Sequence, residues 1–560
     1  MSDDREQRIA PPIIDLPIKT ADRGFYDGFS REVTIPAKVI VTLLIAWAVF
    51  FPVNASDTLN AANTTIIASF AGWYVYLVAA LMAVCFLLAV FPQSGRLRIG
   101  TADEEPEFGR FSWFAMLFGA GIGIGVLTYS TGEPLSHFQS NPEIIRGSVA
   151  AVSPEAVRSA YFYTFLHWGF AAWATYALVG LAIAYVSYRR GLPLTIRSAL
   201  APLFGLRLSG IWGHVVDVVA VVATILGVAT TMGLGVEQFV AGLSRLGVGS
   251  WLTDADGSSS VAGIVAALVV LVGASTVSAL SGVGRGIKWL SNLNLGLSFA
   301  LLALFLFVGS GLYGLQTLGL GIVDYIRLLV PNSLTLFAEG GAVGDALHQW
   351  QLDWSVFYWA WWIAFAPFVG MFIARISRGR TIREYIFGVI LVPSLMCFVW
   401  MALVGGTAID LELSGIANGT ILGAGMSDQL YATLSVLLSP AMASVVSGLV
   451  VLLLMTYLIT SADSAILIVN TINGAGETEG DRRSHILFWG AALAAVVGSM
   501  LVLGGIDAIR ITMIIGALPF SFVVALMAAS LVKAVVFDIR RKRHGVPTTT
   551  LDCIDAGIVK

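Results

Sequence analysis

The chain has 560 residues, 57% of them hydrophobic and 12% charged, and a mean hydropathy of +0.84, whereas soluble domains carry charge on about a quarter of their residues. So much apolar surface excludes a water-soluble protein, and a net charge of −3 with a pI near 6.1 leaves no basic field for nucleic acid. The cysteines Cys85, Cys397 and Cys553 are scattered, with no spacing for a disulfide framework or a zinc site.

Residues 1–34 are polar and lack the apolar core and small-residue cleavage site of a signal peptide, which predicts a disordered cytoplasmic arm. About twelve apolar blocks follow, long enough for helices that need roughly 20 residues to cross ~30 Å of hydrocarbon. They lie near 35–53, 68–91, 112–130, 160–187, 213–240, 261–279, 290–313, 354–374, 384–406, 441–469, 485–504 and 510–536. The segment from Ile322 to Phe337 is apolar but short, and is expected at the interface or packed beside the spans. Basic residues concentrate in alternate loops: Arg96, Arg98 and Arg110; Arg189, Arg190, Arg197 and Arg207; Arg285 and Lys288; Arg375, Arg378, Arg380 and Arg383; Arg482 and Arg483. Because Lys and Arg are retained on the cytoplasmic side, these loops and both termini are expected there. The reading is one membrane domain over 35–536, followed by a short basic tail over 537–560 with Arg540, Arg541, Lys542 and Arg543.

The third block contains Phe118-Gly119-Ala120-Gly121-Ile122-Gly123-Ile124-Gly125. Glycine weakens a helix by ~1 kcal/mol relative to alanine, so the run invites an unwound stretch, which survives in a membrane only where it lines a cavity or a bound ion. Close helix packing through small residues is the competing reading. The fourth block places Trp168, Trp173 and Tyr176 near one helical face. The eighth opens with Asp353-Trp354-Ser355-Val356-Phe357-Tyr358-Trp359-Ala360-Trp361-Trp362 and continues through Phe365, Pro367 and Phe368. Aromatic faces attract cations, and cages of them hold quaternary ammonium groups, which have no N–H to donate. The tenth ends in Thr460-Ser461-Ala462-Asp463-Ser464, whose hydroxyls can bond back to their own helix, while an ionisable Asp463 within a span reads as functional. His167, His214, His348 and His485 are widely separated in sequence, and the motifs HExxH, GxSxG and the P-loop are missing, so an enzyme is not expected.

These segments, together with Glu133-Pro134, His167-Trp168-Gly169, Pro367-Phe368-Val369-Gly370-Met371-Phe372 and Ala374-Arg375-Ile376-Ser377-Arg378-Gly379-Arg380, resemble the betaine/carnitine/choline transporter family over essentially the whole chain. The resemblance implies an all-α membrane protein of about 12 transmembrane helices with the leucine-transporter-type 5+5 inverted repeat, 112–313 and 354–536, after two preceding helices. It also implies a homotrimer in the bacterial inner membrane, and no cofactor. By resemblance, Trp168, Trp173, Tyr176 and Trp362 form a box around an onium group, with Trp359 lining the path and Phe365 standing where many betaine carriers have Trp. Ile122, Gly123 and Gly125 would offer backbone to the substrate carboxylate. Choline-selective members tend to place Asp at the position held here by Gly125, so a zwitterion such as glycine betaine or dimethylsulfoniopropionate is expected. Sodium, the expected coupling ion, would bind Thr460 and Ser461 with the main chain of Gly119 and Ile122. A second sodium site would use Thr224 and the backbone of Phe368, but has Val228 in place of its second threonine. A proton-coupled choline or carnitine-type carrier, with Asp463 as the carboxylate, is the alternative.

Overall fold

The computed structural model describes residues 10–557 apart from 102, 122, 256, 282–285 and 478–482. Expectations on Ile122, Arg285 and Arg482 therefore lie outside the described residues. The named elements are all helical, and β pairing among the described residues is limited to isolated bridges.

Two helices come first, α1 (Arg31–Phe50) and α2 (Pro52–Val90). Five crossings follow, built from α3 (Arg110–Gly121) with α4 (Ile124–Gln139), α5 (Ala156–Trp168) with α6 (Phe170–Arg190), α7 (Ile211–Arg245), α8 (Val261–Ser281) and α9 (Gly286–Phe307). After α10 (Gly311–Ser333) and α11 (Gly341–Gln351), a second five comprises α12 (Phe357–Arg375), α13 (Ile382–Leu413), α15 (Pro440–Asn473) and the two halves of α16 (Arg483–Arg543), with the short α14 (Gln429–Leu437) between α13 and α15. Among the described residues, nine helical stretches are long and apolar enough to cross a membrane, α5 with α6 and α11 with α12 counting as one each, and α9, which meets α10 at a sharp bend, is taken as a tenth. Counting α3 with α4 as one broken crossing, and dividing α16 where Gly504 and Gly505 leave helical geometry with Gly505 at φ +65°, brings the total to twelve. Five is odd, so the second set starts on the opposite side of the membrane from the first. That is the inverted 5+5 arrangement.

Local chemistry sets the helix ends. Gly191, at φ +66°, terminates α6 in the left-handed region, with Arg189 and Arg190 in the last turn. The Thr381 side chain accepts from the Glu384 amide at 3.2 Å and caps α13, and Pro440 opens α15 where no amide donor is needed. The two halves meet most closely where α6 runs along α12. A Cβ built on Gly180 would stand 2.8 Å from the Gly370 carbonyl oxygen, so glycine is what admits the approach.

Several expectations are corrected in detail. The polar stretch 54–67 is not a loop: it belongs to α2, whose 39 residues extend roughly 58 Å at 1.5 Å per residue. The seventh crossing ends at Phe307 and not near 313, and the chain turns by 101° into α10, which takes up most of the segment Ile322–Phe337 expected at the interface or packed beside the spans. Its Gly321, Asp324 and Tyr325 are buried, while Leu320, Val323 and Ile326 are exposed. Residues 10–30 are packed and not a free arm: Leu16 and Phe29 are buried, the Ser30 amide donates to the Asn473 carbonyl at 2.9 Å, and the Phe25 carbonyl accepts from His485 at 2.9 Å. The tail docks as well, because Asp538 is surrounded by Arg189, Arg190 and Arg541, and Arg541 also reaches the Ala10 carbonyl at 2.9 Å.

Candidate substrate and ion site

The first crossing of the first repeat is broken as its glycine run predicts. Helix α3 stops at Gly121 and α4 starts at Ile124, with Gly123 extended at φ −133°, ψ −148°. The fourth crossing is broken too, at Gly169 (φ −92°, ψ −140°), immediately after Trp168. There the Phe170 amide, left without a helical partner, donates to the Tyr325 hydroxyl at 2.7 Å. The first crossing of the second repeat enters through a π-helical turn at Leu352–Val356, where Arg510 donates to the Asp353 carbonyl at 2.7 Å and lies 4.1 Å from the centre of the Phe357 ring.

The breaks at Gly123 and directly after Trp168 border a cavity of about 710 Å³. Its inner wall carries the four rings expected to form a box. Trp362 stands edge-to-face with Trp168 at 5.2 Å and with Tyr176 at 6.1 Å, and Tyr176 with Trp173 at 5.5 Å. Gly125 lies beneath them, and a Cβ there would come within 3.0 Å of Trp168 and 3.2 Å of Trp361. Gly123, Phe365 and Phe368 also line the space. The lining runs from the buried tryptophans to exposed Phe111, Ser112 and Asn292. The cavity therefore opens at the end of the bundle that bears Arg96, Arg98 and Arg110.

Thr460 and Ser461 lie in the same cavity. A Cβ built on Gly123 would be 4.0 Å from the Ser461 hydroxyl oxygen, so this hydroxyl faces the break in the third crossing. The Thr460 hydroxyl lies 3.0 Å and 3.1 Å from the Thr456 and Tyr457 carbonyls and accepts from the Asn294 amide at 3.3 Å. Hydroxyl and freed carbonyl oxygens suit a hard cation carried as substrate, such as sodium. Gly119 lies in the last turns of α3. Thr224 does not line the cavity and donates to the Ala220 carbonyl at 2.7 Å, and Val228 one turn on is buried. Phe368, expected beside Thr224 in the second sodium site, does line the cavity. Trp359 is outside the lining, its ring 5.8 Å from His167, and Trp361 is there instead.

Sequence reasoning missed part of this wall. Trp361 and Phe372 line the cavity beside the expected Phe365 and Phe368, and the spacing of four, three and four along Trp361, Phe365, Phe368 and Phe372 places them on one helical face. It also missed a buried polar group behind the box. Glu133 lies within hydrogen-bond distance of His167 Nδ1 at 2.6 Å and His137 Nε2 at 3.2 Å, and it accepts from Trp168 Nε1 at 2.6 Å and from the Tyr358 hydroxyl. His167 contacts the Ser355 hydroxyl at 3.0 Å, and its carbonyl accepts from Trp362 Nε1 at 3.0 Å. Two of the box indoles are thus oriented by one network.

A family profile described as BCCT, betaine/carnitine/choline family transporter, matches residues 32–539. The chain belongs to the betaine/carnitine/choline transporter family. Among similar members, the glycine betaine transporter OpuD of Bacillus subtilis (strain 168) is 38% identical over 494 residues, covering 88% of this chain and 92% of that one. The high-affinity choline transport protein of Escherichia coli (strain K12) is 37% identical over 486 residues, covering 84% and 67%. A transporter of Mycobacterium tuberculosis (strain ATCC 25618 / H37Rv) is 37% identical over 533 residues, covering 94% and 86%. This family member is accordingly a multi-pass membrane transporter and not an enzyme.

Proposed function

We propose that this family member imports a zwitterionic onium solute, glycine betaine or dimethylsulfoniopropionate, by sodium symport. The observation that carries the reading is the meeting of Trp168, Trp173, Tyr176 and Trp362 in one cavity with the helix break at Gly123 and the hydroxyls of Thr460 and Ser461. A trimethylammonium group has no proton to donate and gains most from ring faces. A carboxylate carried by the same molecule can turn to backbone N–H groups at the interrupted helix. A single sodium ion per cycle fits the donor set, because Val228 supplies no oxygen opposite Thr224. A homotrimer in the bacterial inner membrane, with both termini in the cytoplasm, completes the reading.

Proton coupling is the second reading, and it rests on Asp463. This carboxylate is buried, accepts from the Ser278 and Ser464 hydroxyls at 2.7 Å and 3.1 Å, and has no Lys or Arg as an ion-pair partner among the described residues. Proteoliposomes decide between the two. Sodium symport requires uptake of labelled glycine betaine driven by an inward sodium gradient at equal pH. Uptake that ignores sodium and follows an inward proton gradient assigns the coupling to a proton, and choline outcompeting glycine betaine refutes the zwitterion preference.

A further inference from the structure

The polar network behind the box contains one carboxylate, and its charge state can be argued from its partners. An indole N–H only donates, so Trp168 at 2.6 Å requires Glu133 Oε2 to accept, and the Tyr358 hydroxyl donates to the same oxygen. The other oxygen faces two imidazoles. His167 is satisfied as a neutral ring if Nδ1–H donates to Glu133 and Nε2 accepts from Ser355. His137 directs Nε2 at Glu133, while its Nδ1 is buried without a hydrogen-bond partner. A lone pair left unpaired there costs less than an N–H bearing part of a positive charge, so neutral His137 is the cheaper state. No Lys or Arg pairs with Glu133 among the described residues. The network therefore holds one net negative charge, fully buried and bonded through an indole to the wall of the cavity.

We propose that Glu133 is the fixed counter-charge of the onium site, acting through Trp168, whose N–H it polarises so that the ring face becomes more negative toward a bound cation. The inference rests on the onium-box reading above. In a low-dielectric interior such a charge acts over the width of a ring with little screening. Glu133 thus reaches a bound solute by way of the indole and is a specificity-determining residue that makes no contact of its own with the ligand. Its expected signature is selective, favouring positive charge over shape.

The test compares glycine betaine with 3,3-dimethylbutanoate, which has the same shape and carboxylate but a neutral quaternary carbon in place of nitrogen. Dissociation constants for both are measured by calorimetry on purified wild-type protein, Glu133→Gln and Tyr358→Phe. Wild type should prefer glycine betaine, and Glu133→Gln should reduce that preference about tenfold, with affinity for the carbon isostere unchanged or improved. Tyr358→Phe keeps the charge and leaves Oε2 to the indole, so the preference should be retained or increased. Equal weakening of both ligands in Glu133→Gln, or an unchanged ratio, overturns the inference and leaves Glu133 a purely positional role. If Glu133→Gln does not fold, Tyr358→Phe decides: a retained preference supports the counter-charge, and a preference lost there overturns it. Lack of preference in wild type would defeat the onium box itself, a result distinguishable from a preference that survives Glu133→Gln.

Discussion

Gly125 gives the sharpest test of how the box is assembled. Replacing it with alanine adds one carbon, and that carbon would stand 3.0 Å and 3.7 Å from two atoms of the Trp168 six-membered ring and 3.2 Å from Trp361. Both rings are buried and locked, Trp168 by its bond to Glu133 and Trp361 by stacking on Trp362 at 4.9 Å, so neither can yield without moving its partner. Overpacking of this kind costs about 1–3 kcal/mol, and since each ~1.4 kcal/mol is a factor of ten, glycine betaine should bind roughly 5- to 150-fold more weakly if the strain falls on the binding geometry. Tryptophan-fluorescence titration of purified Gly125→Ala reads the loss, with a thermal melt to establish folding. Trp168→Phe removes the ring atoms in the way, so the double variant should lose less than the sum of the single variants, by about 0.5–3 kcal/mol for residues in contact. Wild-type affinity in Gly125→Ala, or strict additivity in the cycle, would refute the claim that this glycine exists to admit the indoles.

Three further outcomes are expected. Trp362→Leu removes a ring face worth ~2 kcal/mol or more to a desolvated cation, so calorimetry should show at least about tenfold weaker binding of glycine betaine; equal affinity removes Trp362 from the site. Thr460→Ala and Ser461→Ala should each raise the sodium concentration for half-maximal uptake by about tenfold, on the scale of a ~1.5–3 kcal/mol bond to a charged partner; an unaltered sodium titration in proteoliposomes excludes these hydroxyls as ligands. Tyr325→Phe leaves the partly buried Phe170 amide without its acceptor, which should destabilise the protein by about 1–3 kcal/mol, and an unchanged unfolding midpoint in detergent would show that the break is satisfied in another way.

The crossings and their order were legible because each is a long apolar block with its own boundaries. The break at Gly123 was legible because a glycine run is a local signal, as was the aromatic wall, because the tryptophans of α12 lie close together in sequence. Glu133 and His137 are four apart, a spacing that places them on one helical face, but their significance depends on His167, 34 residues further on, and on Tyr358 from the other repeat. No local pattern joins those positions. Asn294 is invisible for the same reason, since its amide meets Thr460 only after α9 and α15 pack. The arm at residues 10–30 was misread because polar composition reports the absence of a core within the segment, whereas Leu16 and Phe29 are buried against a body elsewhere in the chain. Trp361 lines the cavity where Trp359 was expected to line the path, because the tryptophan string offers indoles on several faces and the packing of α12 on α6 selects the one that turns inward.

The hydrogen bond between Tyr325 and the Phe170 amide joins two parts of the protein that otherwise have different surroundings. Tyr325 belongs to a helix bent 101° from its predecessor, with one apolar flank exposed, and Phe170 follows the break directly after Trp168. An apolar flank exposed on a membrane protein faces lipid, so changes in lipid thickness and lateral pressure act on it. Tyr325 cannot shift without either dragging the break along or uncovering a peptide N–H where no water can reach it. The cheaper response is to move together, which makes the first indole of the cavity mechanically continuous with the exposed apolar flank of α10.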